Sequence, residues 1–233
     1  MALKSIISTL SFIFTLACVG VFVNACASYT LEVKNVSLYN EGVKILDSHK
    51  QKSKVRLEIG QGKVGGSSAI PLAIFVLAQN LSTSPVMFDR DNIHIYQNNK
   101  EIIPLSESEL KADNYDFGSI IESYHLYVPP APMPELPVGI PFVYRGYMGG
   151  FYVYDYMIIS ARERMQRQIQ LDENRAKRAI IFASVLRKNT LEPNVAPKGG
   201  FMLYAPSRLK EGVIKVEVSV GEERHSFDLE LRK

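Results

Sequence analysis

The sequence predicts a mainly β protein, a two-sheet sandwich broken by a long insertion and one long helix. Three observations carry that reading. Residues 70–78, Ile-Pro-Leu-Ala-Ile-Phe-Val-Leu-Ala, are apolar on both parities, as in a strand covered on both faces. Val55, Leu57 and Ile59 alternate with Lys54, Arg56 and Glu58, and Ile214, Val216, Val218 and Val220 repeat the same period near the end of the chain. Turn-forming groups punctuate these stretches, at Asn80-Leu81-Ser82-Thr83-Ser84-Pro85, at Asn98-Asn99 and at Gly221-Glu222-Glu223.

The chain opens with Met1, a single Lys4 and an apolar run from Ile6 to Val23, the layout of a secretory signal peptide. That run ends Val23-Asn24-Ala25-Cys26, which resembles a bacterial lipobox: an aliphatic residue, a tolerated one, a small one, then cysteine. The resemblance implies that residues 1–25 are removed and that Cys26 becomes a mature N-terminus carrying covalent lipid. Thr15-Leu16-Ala17-Cys18 fits less well, because Thr stands where the aliphatic residue belongs. An uncleaved membrane helix, or an ordinary cut near Ala25 or Ala27, is the alternative. Ala27 and Ser28 follow the cysteine without an Asp, which resembles lipoproteins passed on to the outer membrane. The expected location is therefore the cell envelope, at the outer membrane facing the periplasm.

Residues 26–233 have the length of one domain. The formal charge is +3, and removal of Lys4 lowers it by one, far below what a nucleic-acid binder spreads over a domain of this size. Both cysteines, Cys18 and Cys26, are consumed by processing and lipidation on this reading. The mature chain then holds no disulfide and no cysteine-based zinc site or nucleophile, and its stability rests on its core.

Taken in order, residues 29–39 have Leu31 and Val33 on one parity and Val36 and Leu38 on the other, which suggests a strand bulged near Asn35. Residues 54–59 form a half-buried strand. Gly60, Gly62 and Gly65 match a dinucleotide-binding pattern by letter, but that chemistry needs a helix next and the following residues read as a strand, so the stretch is a hairpin loop. Pro71 sits near the start of the central strand, where a missing donor does little harm. Val86-Met87-Phe88 makes a short strand, and Ile93 and Ile95 turn through Asn98-Asn99 into Ile102-Ile103 as a hairpin. After the insertion come strands at 201–205, at 213–220 and at 225–232. Phe227, Leu229 and Leu231 face inward in the last of them. His225 shares their parity and is expected half-exposed at the hairpin end.

The run Asn80-Leu81-Ser82-x-x-Pro85-x-x-Phe88 with Asn92-Ile93 resembles the strand-linking corner of immunoglobulin-like domains in bacterial envelope lipoproteins. Thr190-Leu191-Glu192-Pro193-Asn194, followed by Gly199-Gly200-Phe201, is similar to their approach to a late strand. Asn194 replaces the usual Gly there, and Asn is the next-best residue for positive φ. The resemblance covers residues 54–104 and 186–232. It implies an immunoglobulin-like sandwich and is nearly silent about activity.

Between those halves lies an insertion over residues 105–189. Residues 106–112 read as one or two helical turns, and 113–127 have no clear period. Residues 129–137 carry five prolines, which fix φ and delete donors, so that stretch is extended and polyproline-like. Residues 142–157 then hold seven aromatics beside three glycines, a composition with large contact area on a pliable backbone. This stretch is either a strap on the protein's own body or a partner-binding surface. The candidate partner-binding residues are Tyr144, Tyr147, Phe151, Tyr152, Tyr154 and Tyr156, with Arg164 and Arg167 in the helix that follows. That helix is expected over 160–187, with Met165, Ile169, Ala176, Ile180 and Ala183 near one face and cations outnumbering acids.

No catalytic constellation is legible. His49, His94, His125 and His225 have no metal-site spacing, and no nucleophile elbow occurs. Asp89-Arg90-Asp91-Asn92 opens like a calcium loop but lacks its glycine and closing Glu. Asp113 with Asp116, and Glu107 with Glu109, are the carboxylate pairs of any acidic loop. The expectation is a noncatalytic envelope lipoprotein without cofactors beyond the lipid on Cys26. It would serve as a structural or docking subunit of a larger secretion, motility or surface assembly, with envelope or periplasmic protein partners and no nucleic acid. The alternative is a ligand-binding or hydrolytic lipoprotein with the insertion as a lid.

Overall fold

The computed structural model describes residues 27–112, 115–129, 143–145, 151–153 and 156–233. Its strands are β1 (Ser28–Val33), β2 (Leu38–Asn40), β3 (Val43–His49), β4 (Ser53–Ile59), β5 (Lys63–Gly65), β6 (Leu72–Asn80), β7 (Val86–Phe88), β8 (Ile93–Gln97), β9 (Lys100–Glu101), β10 (Val143–Arg145), β11 (Phe151–Val153), β12 (Asn189–Leu191), β13 (Lys198–Tyr204), β14 (Gly212–Val220) and β15 (Glu223–Arg232). Its helices are α1 (Glu107–Ala112), α2 (Gly118–Ser123) and α3 (Tyr156–Ser184).

The protein is mainly β, and its named strand pairs are antiparallel. One large sheet runs β5-β1-β15-β14-β8-β9 and the other β13-β6-β4-β3-β2, with small two-stranded sheets β12-β7 and β10-β11. The large sheets share one apolar core. Leu31, Ile95, Val216, Leu229 and Leu231 come from the first, and Leu57, Ile74, Val76, Met202 and Tyr204 from the second. β4 shows how alternation builds this: Val55, Leu57 and Ile59 are buried and the residues between them only partly covered. β6 is covered on both faces along its first half, as its unbroken apolar run requires.

The second face of β6 and β13 is covered by the insertion. Leu105, Leu110, Phe117, Ile120, Ile121 and Ile181 pack with Ala73, Phe201 and Leu203 in a second cluster, making a third, helical layer. Burial of each large aliphatic there contributes about 1.5–3 kcal/mol. Phe201 meets Phe75 and Tyr124 edge to face, both at 4.9 Å between ring centroids. The Tyr124 hydroxyl is shared between the carbonyls of Glu58 and Ala73, each at 2.9 Å, which pins the end of α2 across β4 and β6. Gly60 permits this contact, since a Cβ there would lie 2.4 Å from the Ser123 carbonyl oxygen.

The strands run between two poles. At one, Leu72 pairs Tyr204 and Thr30 pairs Arg232; at the other, Ser53 pairs Asn80 and Val220 pairs Glu223. Side-chain bonds of Asn80 stitch the second pole. Its Nδ2 donates to the carbonyls of Ser84 (2.7 Å) and Leu191 (3.0 Å), and its Oδ1 accepts from the Ser82 amide (2.9 Å) and hydroxyl (2.7 Å). The Asn194 amide donates to the Asn80 carbonyl at 2.8 Å, and Asn194 has φ 58°. The two quoted motifs therefore meet, although 111 positions separate Asn80 from Leu191.

Several expectations need correction. The parity flip at Asn35 is not a bulge: β1 belongs to one sheet and β2 to the other, and Asn35, at φ 57°, lies where the chain crosses between them. The glycine stretch after β4 is more than a loop, because β5 pairs β1. The aperiodic stretch 113–127 contains α2. The helix begins at Tyr156, ahead of the expected start, and among its described side chains the buried one is Ile181, one position past Ile180, while Ala183 is exposed. Its packing follows Phe201 and α2 rather than its own weak periodicity. The hairpin of β8 and β9 turns through Asn98 (φ 52°) and Asn99 (φ 60°), as the Asn-Asn pair predicts.

Candidate functional site

The polar side chains buried most deeply between the two large sheets lie at the Asn80 pole. Ser53 opens β4, Ser48 lies near the end of β3, and His225 lies near the start of β15; Ser53 and His225 are fully buried. His225 is therefore not the half-exposed edge residue expected from its place at the hairpin end. It keeps the inward parity of Phe227 and Leu229, and the facing sheet supplies its partners. Nε2 lies 2.8 Å from Ser53 Oγ and Nδ1 2.8 Å from Ser48 Oγ. Ser53 Oγ also donates to Glu223, whose carboxylate accepts the Lys52 amide at 3.1 Å.

The proton order in this chain decides what it can do. Ionised Glu223 only accepts, so the single Ser53 hydroxyl proton belongs to it. His225 must then donate from Nε2 to Ser53 and accept at Nδ1 from Ser48. Burial lowers the His225 pKa, with Lys50 and His49 adding to the effect and Glu223 opposing it. Hydrogen bonding from Ser53 is the main cause that lowers the Glu223 pKa. In this order the Ser53 proton is directed at Glu223 and His225 is a donor to Ser53, so these side chains bind the two sheets together without the serine-to-histidine proton path of a catalytic triad.

The other histidines do not converge with it. His94 Nδ1 lies 2.6 Å from Glu101 Oε1 across the β8–β9 hairpin, His125 Nε2 lies 2.9 Å from the Glu41 carbonyl, and His49 is exposed. Among the described residues no three metal-ligating side chains gather. Asp89 caps a 3₁₀ turn over Arg90–Asn92, the polar turn its missing glycine implied. Glu109 accepts from Ser106 and pairs with Arg208, while Asp116 accepts the Ser119 amide at 3.2 Å. Asp113 lies outside the described residues.

Cys26, Tyr147 and Tyr154 also lie outside them. In the β10–β11 hairpin Tyr144 is the backbone partner of Tyr152, and Arg145 that of Phe151. Tyr156 and Arg164 belong to α3, and Arg167 is an exposed residue of the same helix. Among the described residues β10 and β11 pair only with each other.

What the helical layer adds is a cationic recess that sequence reading placed only as charge along a helix. Lys111, Arg175, Lys177 and Arg178 line it with Ser68, Tyr115 and a single carboxylate, Asp116. Arg178 Nη1 donates to the Lys111 carbonyl at 2.8 Å and its guanidinium lies 5.7 Å from the Phe117 ring centre. Lys111 stands 4.8 Å from the Phe182 ring centre. Arg175 lies 3.6 Å from Asp172. The signal in the sequence was the excess of Arg and Lys over acids between 162 and 178; the contribution of Lys111 from α1 needed the tertiary structure.

Comparison with protein-family models, with curated proteins and with solved structures returns no match for this chain.

Proposed function

We propose that this chain is a noncatalytic envelope lipoprotein, anchored by lipid on Cys26 at the outer membrane and facing the periplasm. Its immunoglobulin-like sandwich acts as a rigid body, and its insertion engages another envelope protein. The observation that carries the anchor is the place of the first strand. The Ala27 carbonyl accepts the Gly66 amide at 3.0 Å and β1 begins at Ser28, so the residue next to the cysteine that the lipobox resemblance selects is itself bonded into the fold. No helix among the described residues is long and apolar enough to cross a membrane. The Asn80 corner and its bond to Leu191 support the immunoglobulin-like reading, and the committed proton of Ser53 supports a noncatalytic one. The self-paired β10–β11 hairpin within an aromatic stretch supports docking.

Two variants test this. Cys26→Ala is expected to leave the membrane fraction and lose the acyl mass; unchanged fractionation and mass would end the lipoprotein reading. Replacing Tyr147, Phe151, Tyr152 and Tyr154 together by Ser is expected to preserve folding and abolish recovery of a cross-linked envelope partner. Loss of folding in that variant, with no partner captured by the wild type, would make the segment a structural strap.

A further inference from the structure

Ala27 leaves the fold at a defined place. It lies at the pole where Leu72 pairs Tyr204, and a recess there is lined by Ala27, Tyr29, Gly66, Pro206, Lys210 and Lys233. Gly65 is needed for that exit, since a Cβ on it would lie 2.2 Å from the Ala27 carbonyl oxygen. Tyr115 also lines this recess, and Tyr115 is at the same time a wall of the cationic recess of the helical layer. The two recesses are therefore neighbours on one side of the molecule. Their cations are Lys111, Arg175, Lys177, Arg178, Lys210 and Lys233, against the carboxylates Asp116 and Glu211 and against Asp172, which pairs with Arg175. The opposite pole is mixed in charge, with Lys52 bound to Glu222 and the Lys52 amide to Glu223.

A lipid on Cys26 would leave almost no tether. One peptide unit, about 3.8 Å between Cα atoms, joins Cys26 to a residue already bonded into the sheet. The bilayer surface then meets the side of the body from which Ala27 emerges, and that side is the cationic one. Anionic headgroups draw basic groups held within a Debye length of the surface.

We propose that the Ala27 pole is the membrane-facing side of the protein, and that these six cations form a rim seated on anionic lipid headgroups. The inference rests on the lipoprotein reading and adds an orientation and a lipid class to it. β15 runs ten residues from the Glu223 end to this pole, so the Asn80 pole stands on the order of 30 Å from the headgroups. α3 reaches the same side at Leu171, which lines the cationic recess.

The test uses the full chain, processed by its host and reconstituted into vesicles of phosphatidylcholine, alone or mixed with phosphatidylglycerol. On this reading Cys18 and Cys26 leave no free thiol, so a single Ser207→Cys or Thr83→Cys substitution takes a fluorophore at either pole. Both positions are exposed. A lipid with a nitroxide headgroup is expected to quench the label at position 207 at least about threefold more than the label at 83, more strongly with phosphatidylglycerol, and less at high salt. Arg175→Glu, Lys177→Glu and Lys210→Glu combined should remove the phosphatidylglycerol dependence while the acyl mass on Cys26 stays. Equal quenching at the two positions, with the acyl mass present, overturns the orientation and leaves the lipoprotein reading standing. Preferential quenching indifferent to phosphatidylglycerol overturns the cationic rim. Preferential quenching seen only in native membranes makes this a protein-docking surface and overturns the lipid assignment. Absence of acyl mass on the wild-type chain removes the lipoprotein reading and this inference together.

Discussion

Ser53 Oγ and His225 Nε2 lie 2.8 Å apart between the two large sheets, and burial there disfavours the charged imidazolium. The folded His225 pKa is lowered by burial, while the unfolded value is about 6.5. Below that unfolded value the unfolded chain binds a proton that the folded chain refuses, so stability falls as pH drops from 7 toward 5. The depressed carboxylates Glu109, Glu217, Glu223 and Glu230 add their losses only at lower pH, below the ordinary range of a Glu. Thermal melting from pH 7.5 to 5 should show a declining midpoint in the wild type and a flatter profile in His225→Gln. Parallel profiles would remove His225 as the cause.

Asn80 satisfies two carbonyls and two donors at a pole where little else joins β6 to β12. Asn80→Ala should cost about 2–3 kcal/mol in a denaturant titration, since the Leu191 carbonyl and its neighbours lose buried partners. Asn80→Asp should cost more, because a carboxylate would face the Ser84 and Leu191 carbonyls where an NH₂ now donates. An Asp variant as stable as the wild type would contradict the amide orientation.

Tyr204 is fully buried in the core, and among the described residues its hydroxyl has no hydrogen-bond partner. Burial is the main cause that raises its pKa. An unpaired buried hydroxyl costs about 1–3 kcal/mol relative to a satisfied one, so Tyr204→Phe should be neutral or stabilising by up to ~1 kcal/mol. Destabilisation beyond about 1 kcal/mol in equilibrium unfolding would show that the hydroxyl has a partner.

The strands of regular period were legible because each carries its own evidence, whereas β3 and β5 carry no such period and were not anticipated. Val55, Leu57 and Ile59, or Val216, Val218 and Val220, record which face is covered, and Asn98-Asn99 records the turn its backbone needs. The candidate site was less legible. His225 had the parity of a core residue, but the reason it can be buried is Ser48 and Ser53, which precede it by 177 and 172 positions. A strand's period says which way a side chain points and nothing about what the facing sheet offers it.

What the sequence determined by itself is the set of local choices: β-strands with their inward parity, an Asn-Asn turn and a charged helix. Only the tertiary structure decided how these meet. The crossing at Asn35 sends β1 to pair with β15, Thr30 opposite Arg232, while β2 joins the other sheet. α3 buries Ile181 rather than Ala183 because its orientation follows Phe201 and α2, and Gly200 leaves room for the Leu186 backbone at the crossing. Ala27 and the Lys111–Arg178 recess share a side because β5 folds back on β1 and carries Ser68 to α2, where its carbonyl accepts the Asp116 amide. These are contacts between segments far apart in the chain, set by which surfaces fit, and no local period encodes them.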